Sequence, residues 1–381
     1  MRIGVFGLLG QGNLGNDGSL AALLEFLRRE HPDAAVDALC GGPAEIRARF
    51  GIPAVRLHWF RTESPAAKVF GKLADPLWIG RWVRRHDVVI VPGMGVLEAT
   101  LPLRPWGFPY SLLLLGLTAR LTGTKVALVA AGAEYVRRPA TRWVITRAAR
   151  LAHHRSYRDE HSRRAMARMG VDVRGDAVHP DLAFGLPDPQ PRPSAGAVGV
   201  GVMAYSGGND DRARAADIHR AYLATVTRFV RLLAAEGRPV RLFTGDTADE
   251  EIARRIAAAV PGVTAEPVTS LADLMQRMAE VDVVVATRYH NVLCALKTVR
   301  PTVSLGYARK NDVLMDAMGL GEFCLSAREP DFDRLVGRFR AAEDRREELI
   351  AVLKDRNRAM SERIRHQFDT LSQSVLEGGR T

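Results

Sequence analysis

Cysteine is scarce in this chain and nowhere paired. Cys40, Cys294 and Cys324 stand far apart, odd in number, with no CxxC spacing. That excludes a disulfide framework and a structural zinc site and fits a reducing compartment. No His/Asp cluster has metal-ligand spacing, so no metal is expected. Long hydrophobic runs are lacking too. The stretch "PLRPWGFPYSLLLLGLTARL" (102–121) joins aromatics to four consecutive leucines, yet falls short of the roughly 20 apolar residues that span a bilayer. It reads either as a buried helix or as a segment lying against a membrane surface. The N-terminal "MRIGVFGLLGQGN" has one charge, no small-residue cleavage site, and glycines too early for a span. The expectation is a cytoplasmic protein, with association at the inner membrane face as the alternative role of 102–121. Also missing are an arginine-rich arm, a zinc finger and an aromatic–basic stripe, so nucleic acid is not an expected partner. The net charge of +11 points instead to phosphorylated small molecules or a phospholipid surface.

What is present is alternation. Strand-like "RIGVFGL", "AAVDALC", "HDVVIVPG" and "KVALVAAGAEY" are separated by helical periodicity such as "DGSLAALLEFLRREH". Runs apolar on both faces suit parallel strands covered by helices on both sides. After the proline-rich "LPDPQPRPSAG" (187–196) the alternation restarts with "AVGVGVMAY", "PVRLFTGD", "DVVVAT" and "PTVSLGY". The fold class is therefore α/β, with two Rossmann-like domains facing a cleft. The expected divisions are 1–190, 195–330, and a charged helical segment at 331–381 that packs back on the first domain.

Ligands of open α/β sheets bind beyond the carboxyl ends of the strands, so each strand exit is a candidate site. The first, "GLLGQGNLGNDG", holds Gly10, Gly12 and Gly15 in G-x-G-x-x-G spacing with Asn13, Asn16 and Asp17 in a polar turn. It is a substrate loop, a structural turn capped by Asn16 or Asp17, or a dinucleotide site. The acidic residue such a site requires would be Asp37, which lies inside its strand rather than at the tip. The second exit offers Gly93 and Gly95 for close backbone approach, with Glu98 behind them. The third offers Glu134 beside Gly132, either a catalytic carboxylate, a ligand for sugar hydroxyls, or a surface acid paired with arginine. Arg158 ends the short strand "HHRSY", there to neutralise an anion or to pair with Glu160. Asp181 reads as a buried turn cap, and Met166 and Met169 as core.

In "VVVATRYHNVLCAL", Arg288 and His290 stand where a greasy strand ends and helical spacing begins. The first turn of a helix presents N–H groups without intrahelical acceptors, and that positive end prefers an anion. A cation there costs about 0.3–1 kcal/mol if exposed, a cost that a bound anion would remove. The structural alternative pairs Arg288 with Asp282 or Asp312 and leaves His290 as a core histidine. The next exit, "SLGYARKND", adds Tyr307, Arg309 and Lys310.

Together these motifs resemble the polysaccharide pyruvyl transferase family: "GNLGNDGSLAALLEFL", "VVIVPGMGVLE", "RSYRDEHSRRAMARMGV…HPDLAF", "VVVATRYHNVLCAL" and "SLGYARKNDVLMDAMGL", from about residue 3 to 320. The resemblance implies a GT-B-like architecture and transfer of pyruvate from phosphoenolpyruvate onto a sugar as a ketal, without a cofactor. It implies donor binding by Arg288, His290, Arg158, Tyr307 and Lys310, with His290 and Arg288 as the catalytic pair. Glu134 or Asp17 would be the proton acceptor. The acceptor, a carbohydrate or lipid-linked glycan, would face Asn13, Asn16, Asp17, Gly93 and Gly95. The chain departs from the family pattern at Tyr289, where an aliphatic residue is usual, at Met94 within a glycine triplet, and at Asn16–Asp17. Competing readings are a GT-B glycosyltransferase using a nucleotide sugar, a non-catalytic binding protein of this fold, and, on the glycine spacing alone, a dinucleotide oxidoreductase.

Overall fold

A computed structural model describes residues 1–58, 65–98, 105–190, 192, 194, 196–265 and 267–377, with two compact units. The first unit comprises Met1–Gln11, Ser19–Leu182 and Arg363–Thr381; the second comprises Gly12–Gly18 and Ala183–Glu362. The expected terminal segment 331–381 is helical among its described residues and divides between the units after Glu362.

The first sheet is formed by β1 (Arg2–Gly7), β2 (Ala35–Cys40), β3 (Ala54–Arg56), β4 (Val88–Val91), β5 (Lys125–Ala131), β6 (His154–Tyr157) and β7 (Ala177–Val178). Its order is β3-β2-β1-β4-β5-β6-β7, and every pairing is parallel. The connecting helices are α1 (Leu14–Glu30), α2 (Pro43–Phe50), α3 (Pro65–Val83), α4 (Phe108–Thr122), α5 (Pro139–Leu151) and α6 (Glu160–Arg168). The second sheet contains β8 (Val198–Gly201), β9 (Val240–Phe243), β10 (Val263–Ala265), β11 (Val283–Ala286), β12 (Thr302–Gly306) and β13 (Cys324–Ser326), in the parallel order β10-β9-β8-β11-β12-β13. Helices α7 (Ala215–Ala235), α8 (Glu250–Ala259), α9 (Leu271–Met278), α10 (Tyr289–Lys297), α11 (Arg309–Ala317), α12 (Phe332–Asp344) and α13 (Arg346–Leu371) accompany it.

Local chemistry explains these boundaries. Proline stands in the first turn of α2, α4 and α5, where its missing N–H costs nothing. Helices α2 and α4 end on left-handed Gly51 and Gly123. The central strands β4 and β11, "VVIV" and "VVVA", are buried at every residue, as strands covered on both faces must be. The edge strands β3 and β10 are three residues each and mostly solvated, which limits their capacity to template further pairing. In the first unit Phe368 of α13 stacks on Phe26 of α1 at 4.3 Å between ring centroids.

The proline-rich 187–196 falls between β7 and β8; residues 191, 193 and 195 lie outside the described set. Part of 102–121 does too. Of the rest, Leu112, Leu113 and Leu115 are buried as in an ordinary core helix, whereas Trp106, Leu117 and Leu121 are exposed.

Candidate functional site

In the second unit the first turn of α1 meets the exits of β9 and β11. Gly12 takes a left-handed φ of 87°, and its carbonyl accepts from Thr247 N at 3.3 Å. Asn13 Nδ2 donates to Asp246 Oδ2 at 3.1 Å, and Leu14 N donates to the Gly245 carbonyl at 3.2 Å. Asn13 Oδ1 accepts from Asn16 N at 3.1 Å, so the helix cap is Asn13, three residues before Asn16. The loop geometry corrects that reading, because α1 begins at Leu14 and Asn13 stands immediately before it, in the cap position. Asp17 is 2% exposed. Gly15 lies against His290: a Cβ there would come within 2.5 Å of three atoms of the imidazole ring. Only a residue without a side chain lets the two elements approach this closely.

His290 and Tyr289 occupy the first turn of α10, with Arg288 as the N-cap residue. Arg288 does not pair with Asp282 or Asp312. Asp282 is taken by Arg346 at 2.6 Å, while Arg288 Nε and Nη2 donate to the two oxygens of Asp249 at 2.7 and 2.8 Å. Nη1 lies 3.9 Å from Asp246. Burial alone would lower the Arg288 pKa; the Asp249 fork and the Asp246 charge outweigh it and hold the group above its ordinary value. The charge expected to oppose the α10 dipole is thus met from inside the chain. Asp249 is 0% exposed and also accepts from Ala204 N at 2.9 Å.

The backbone beside the site is fixed from behind. Thr287 Oγ1 is 2.8 Å from the buried Tyr222 hydroxyl, whose pKa is pushed up to about 12 by burial. The Thr287 carbonyl accepts from Asn311 Nδ2 at 3.1 Å. Lys310 Nζ lies over two rings, 5.2 Å from the centroid of Tyr307 and 5.8 Å from that of Tyr289. The second unit therefore gathers Asn13, Asn16, Asp17, Arg288, His290, Tyr307 and Lys310.

The remaining expected residues belong to the first unit, at the exits of β4, β5 and β6. Arg158 is 6% exposed and faces three carboxylates: it donates to Glu98 and lies 3.6 Å from Asp181 and 3.7 Å from Asp159. Glu160, its proposed surface partner, instead holds Arg163 and Arg164. Asp159 caps α6 through Ser162 N. Gly95 and Gly132 admit the Glu98–Arg158 pair: a Cβ at Gly95 would sit 2.7 Å from Glu98 Cδ, and one at Gly132 would sit 2.6 Å from Arg158 Nη2. Gly93 accepts from Ser19 Oγ at 2.8 Å through its carbonyl. Glu134 is half-buried, its N–H bonded to the Leu97 carbonyl at 3.1 Å. A bulge in β5 with Ala130 at φ 49° aims this exit. Asp37 is committed to Trp82 Nε1 at 2.6 Å and His86 Nε2 at 2.9 Å, away from any ribose role.

Residues 13–309 match the model of the polysaccharide pyruvyl transferase family. The chain belongs to that family. No curated protein matches the sequence. Similar solved structures include S. aureus MnaA with UDP, at 10% identity, 100% of this chain, 99% of that one and a TM-score of 0.63. UDP-GlcNAc 2-epimerase from Neisseria meningitidis bound to UDP-GlcNAc gives 9%, 99%, 100% and 0.62. MurG from Acinetobacter baumannii gives 13%, 98%, 99% and 0.58. At such identities the likeness establishes the fold alone: this pyruvyl transferase family member has two parallel-sheet α/β domains of the GT-B-like kind. Two acids of its site escape sequence reading, Asp246 and Asp249. The strand-exit rule that picks out Arg288 also applies to "LFTGDTAD", where β9 ends.

Proposed function

We propose that this family member transfers pyruvate from phosphoenolpyruvate to two hydroxyls of a sugar or glycan, forming a ketal and releasing phosphate. The observation that carries the reading is the convergence of Arg288, His290, Tyr307 and Lys310 on the exits of β11 and β12, beside the N-terminus of α10. Phosphoenolpyruvate brings a carboxylate and a phosphate. Lys310 and the first turn of α10 supply the attraction, and Arg288, already forked on Asp249, contributes its remaining edge.

In the reaction His290 delivers a proton to the methylene carbon of the donor, leaving C2 electron-poor. A hydroxyl oxygen of the acceptor bonds to C2 and its proton passes to a carboxylate; Asp17 is the one of the two candidate bases that the second unit carries. The C2–O bond to phosphate then breaks, phosphate leaving with the electron pair. A second hydroxyl adds to C2 and closes the ring, its proton balancing the departing phosphate. No cofactor enters these steps.

The test is calorimetric titration with phosphoenolpyruvate beside UDP, GDP and NADH. Phosphoenolpyruvate alone should bind, and Lys310→Ala should weaken it while His290→Ala leaves binding measurable and abolishes phosphate release. Binding of a nucleoside diphosphate in its place would overturn the reading in favour of a nucleotide-sugar glycosyltransferase.

A further inference from the structure

One face of the first unit differs from the rest of the molecule. Residues 65–151, which carry α3, α4 and α5, hold thirteen Lys and Arg against four Asp and Glu, a net of +9 in a chain whose total is +11. Two of those four acids are withdrawn from the surface. Asp75 is 0% exposed, held by His58 Nδ1 at 3.0 Å and Lys72 Nζ at 3.1 Å, and Glu98 is buried on Arg158. Helices α4 and α5 contain no acid at all, and Asp75 is the only one in α3. Helices α8, α12 and α13 mix both signs, as solvated helices ordinarily do.

The same three helices expose large apolar side chains. Leu73 and Leu77 stand one turn apart on α3, Leu117 and Leu121 one turn apart on α4, with Trp106 just before α4 and Trp143 on α5. Leu121 is 88% exposed and Leu77 75%. The helices are neighbours running in the same direction: the Tyr110 hydroxyl donates to the Lys72 carbonyl at 3.4 Å, and a Cβ at Gly80 would sit 3.8 Å from the Thr118 side chain. Arg120 Nε donates to the Leu151 carbonyl at 3.1 Å, tying α4 to α5. Exposed Arg81, Arg84, Arg85 and Arg147 flank the leucines. Contiguous exposed apolar side chains rimmed by polar ones mark interaction surfaces.

The charge decides the occupant. A second copy packed on this face would set its exposed arginines against the same arginines across a self-complementary interface, which like-charge repulsion disfavours. An anionic lipid surface answers every feature at once: arginines among the headgroups, leucines in the acyl boundary, tryptophans at the level between them. We propose that the α3–α4–α5 face docks on an anionic phospholipid membrane. Vesicle binding needs no substrate, so this inference and the transferase reading fail separately.

The experiment is co-sedimentation of the full chain with phosphatidylglycerol–phosphatidylcholine vesicles against phosphatidylcholine alone, over a salt series. Wild type should bind the anionic vesicles and release as salt rises. Leu77→Ser/Leu121→Ser should weaken partitioning at least tenfold with the melting temperature unchanged. Arg81→Glu/Arg84→Glu should do the same, whereas Arg254→Glu/Arg255→Glu, an equal charge change on exposed positions of α8, should not. Equal binding to both vesicle types, no binding at all, or equal losses in the two arginine variants would overturn the proposal. So would a leucine variant that converts a dimer to a monomer in light scattering while vesicle binding persists, since the face would then be an interface between copies.

Discussion

Asp249→Ala tests how the candidate site is held. Asp249 is fully buried and takes both near donors of Arg288 together with the Ala204 N–H, and Arg288 keeps 19% of its side chain in solvent. Removing one partner of a buried, hydrogen-bonded ion pair costs about 3–5 kcal/mol, chiefly because the survivor keeps its desolvation without its compensation. The partial exposure of Arg288 puts Asp249→Ala near the lower end, about 3 kcal/mol. Arg288→Ala strands a carboxylate with no exposure and should cost at least as much. For units of this size about 3 kcal/mol lowers the melting temperature by roughly 6–12 °C. The double variant removes both charges, so its loss should fall short of the sum of the singles by about 2 kcal/mol. The assay is a double-mutant cycle by urea denaturation and calorimetry on the full chain. Losses that add to within about 0.5 kcal/mol would refute the argument, since groups that do not compensate each other behave that way.

Three further outcomes are expected. Gly15→Ala should gain up to about 1 kcal/mol of helix propensity while forcing the His290 ring aside; a displacement of this kind costs on the order of 100-fold in turnover. Phosphate release assays with a thermal melt check it, and an active Gly15→Ala enzyme would remove the ring position from the mechanism. In the Arg158 cluster, Arg158→Met removes the cation that faces three carboxylates and should cost about 3–5 kcal/mol, whereas Glu98→Gln relieves an excess of negative charge and should cost far less; equal losses in urea melts would contradict that accounting. His179 is buried with a pKa held down to about 4, against an ordinary 6.5, chiefly by desolvation, although its bond to the Arg363 carbonyl opposes the shift. Its folded pKa is depressed, so the unfolded chain binds the proton more readily. The stability tied to it is complete above about pH 6.5 and is lost as pH falls toward 4, by roughly 2–3 kcal/mol. His179→Gln should flatten that limb of the stability profile, and an unchanged limb would show that His179 does not carry it.

Much of this protein is written locally. Unbroken apolar runs such as "VVIV" and "VVVA" fix buried parallel strands because every second residue, on either face, must avoid water. Prolines and glycines set several helix ends through backbone geometry alone. The motifs around Arg288–His290 and Tyr307–Lys310 mark the second-unit exits by the same strand-to-helix logic. Short edge strands such as β3 and β10 leave almost no pattern, because three residues half in solvent need none. Helix α3 is masked in sequence by Pro76 within it.

Sequence alone determines the two α/β halves, the chemical types at the strand exits and the family. Tertiary structure alone decides which charges meet. Arg288 finds Asp249, thirty-nine positions away, rather than Asp282 or Asp312, and Arg158 finds Glu98, sixty positions away, rather than Glu160 two residues on. Parallel crossovers bring strand ends together in an order unrelated to their spacing in the chain, and a buried ion pair is selected by that proximity and by the exclusion of water, neither of which any local stretch encodes.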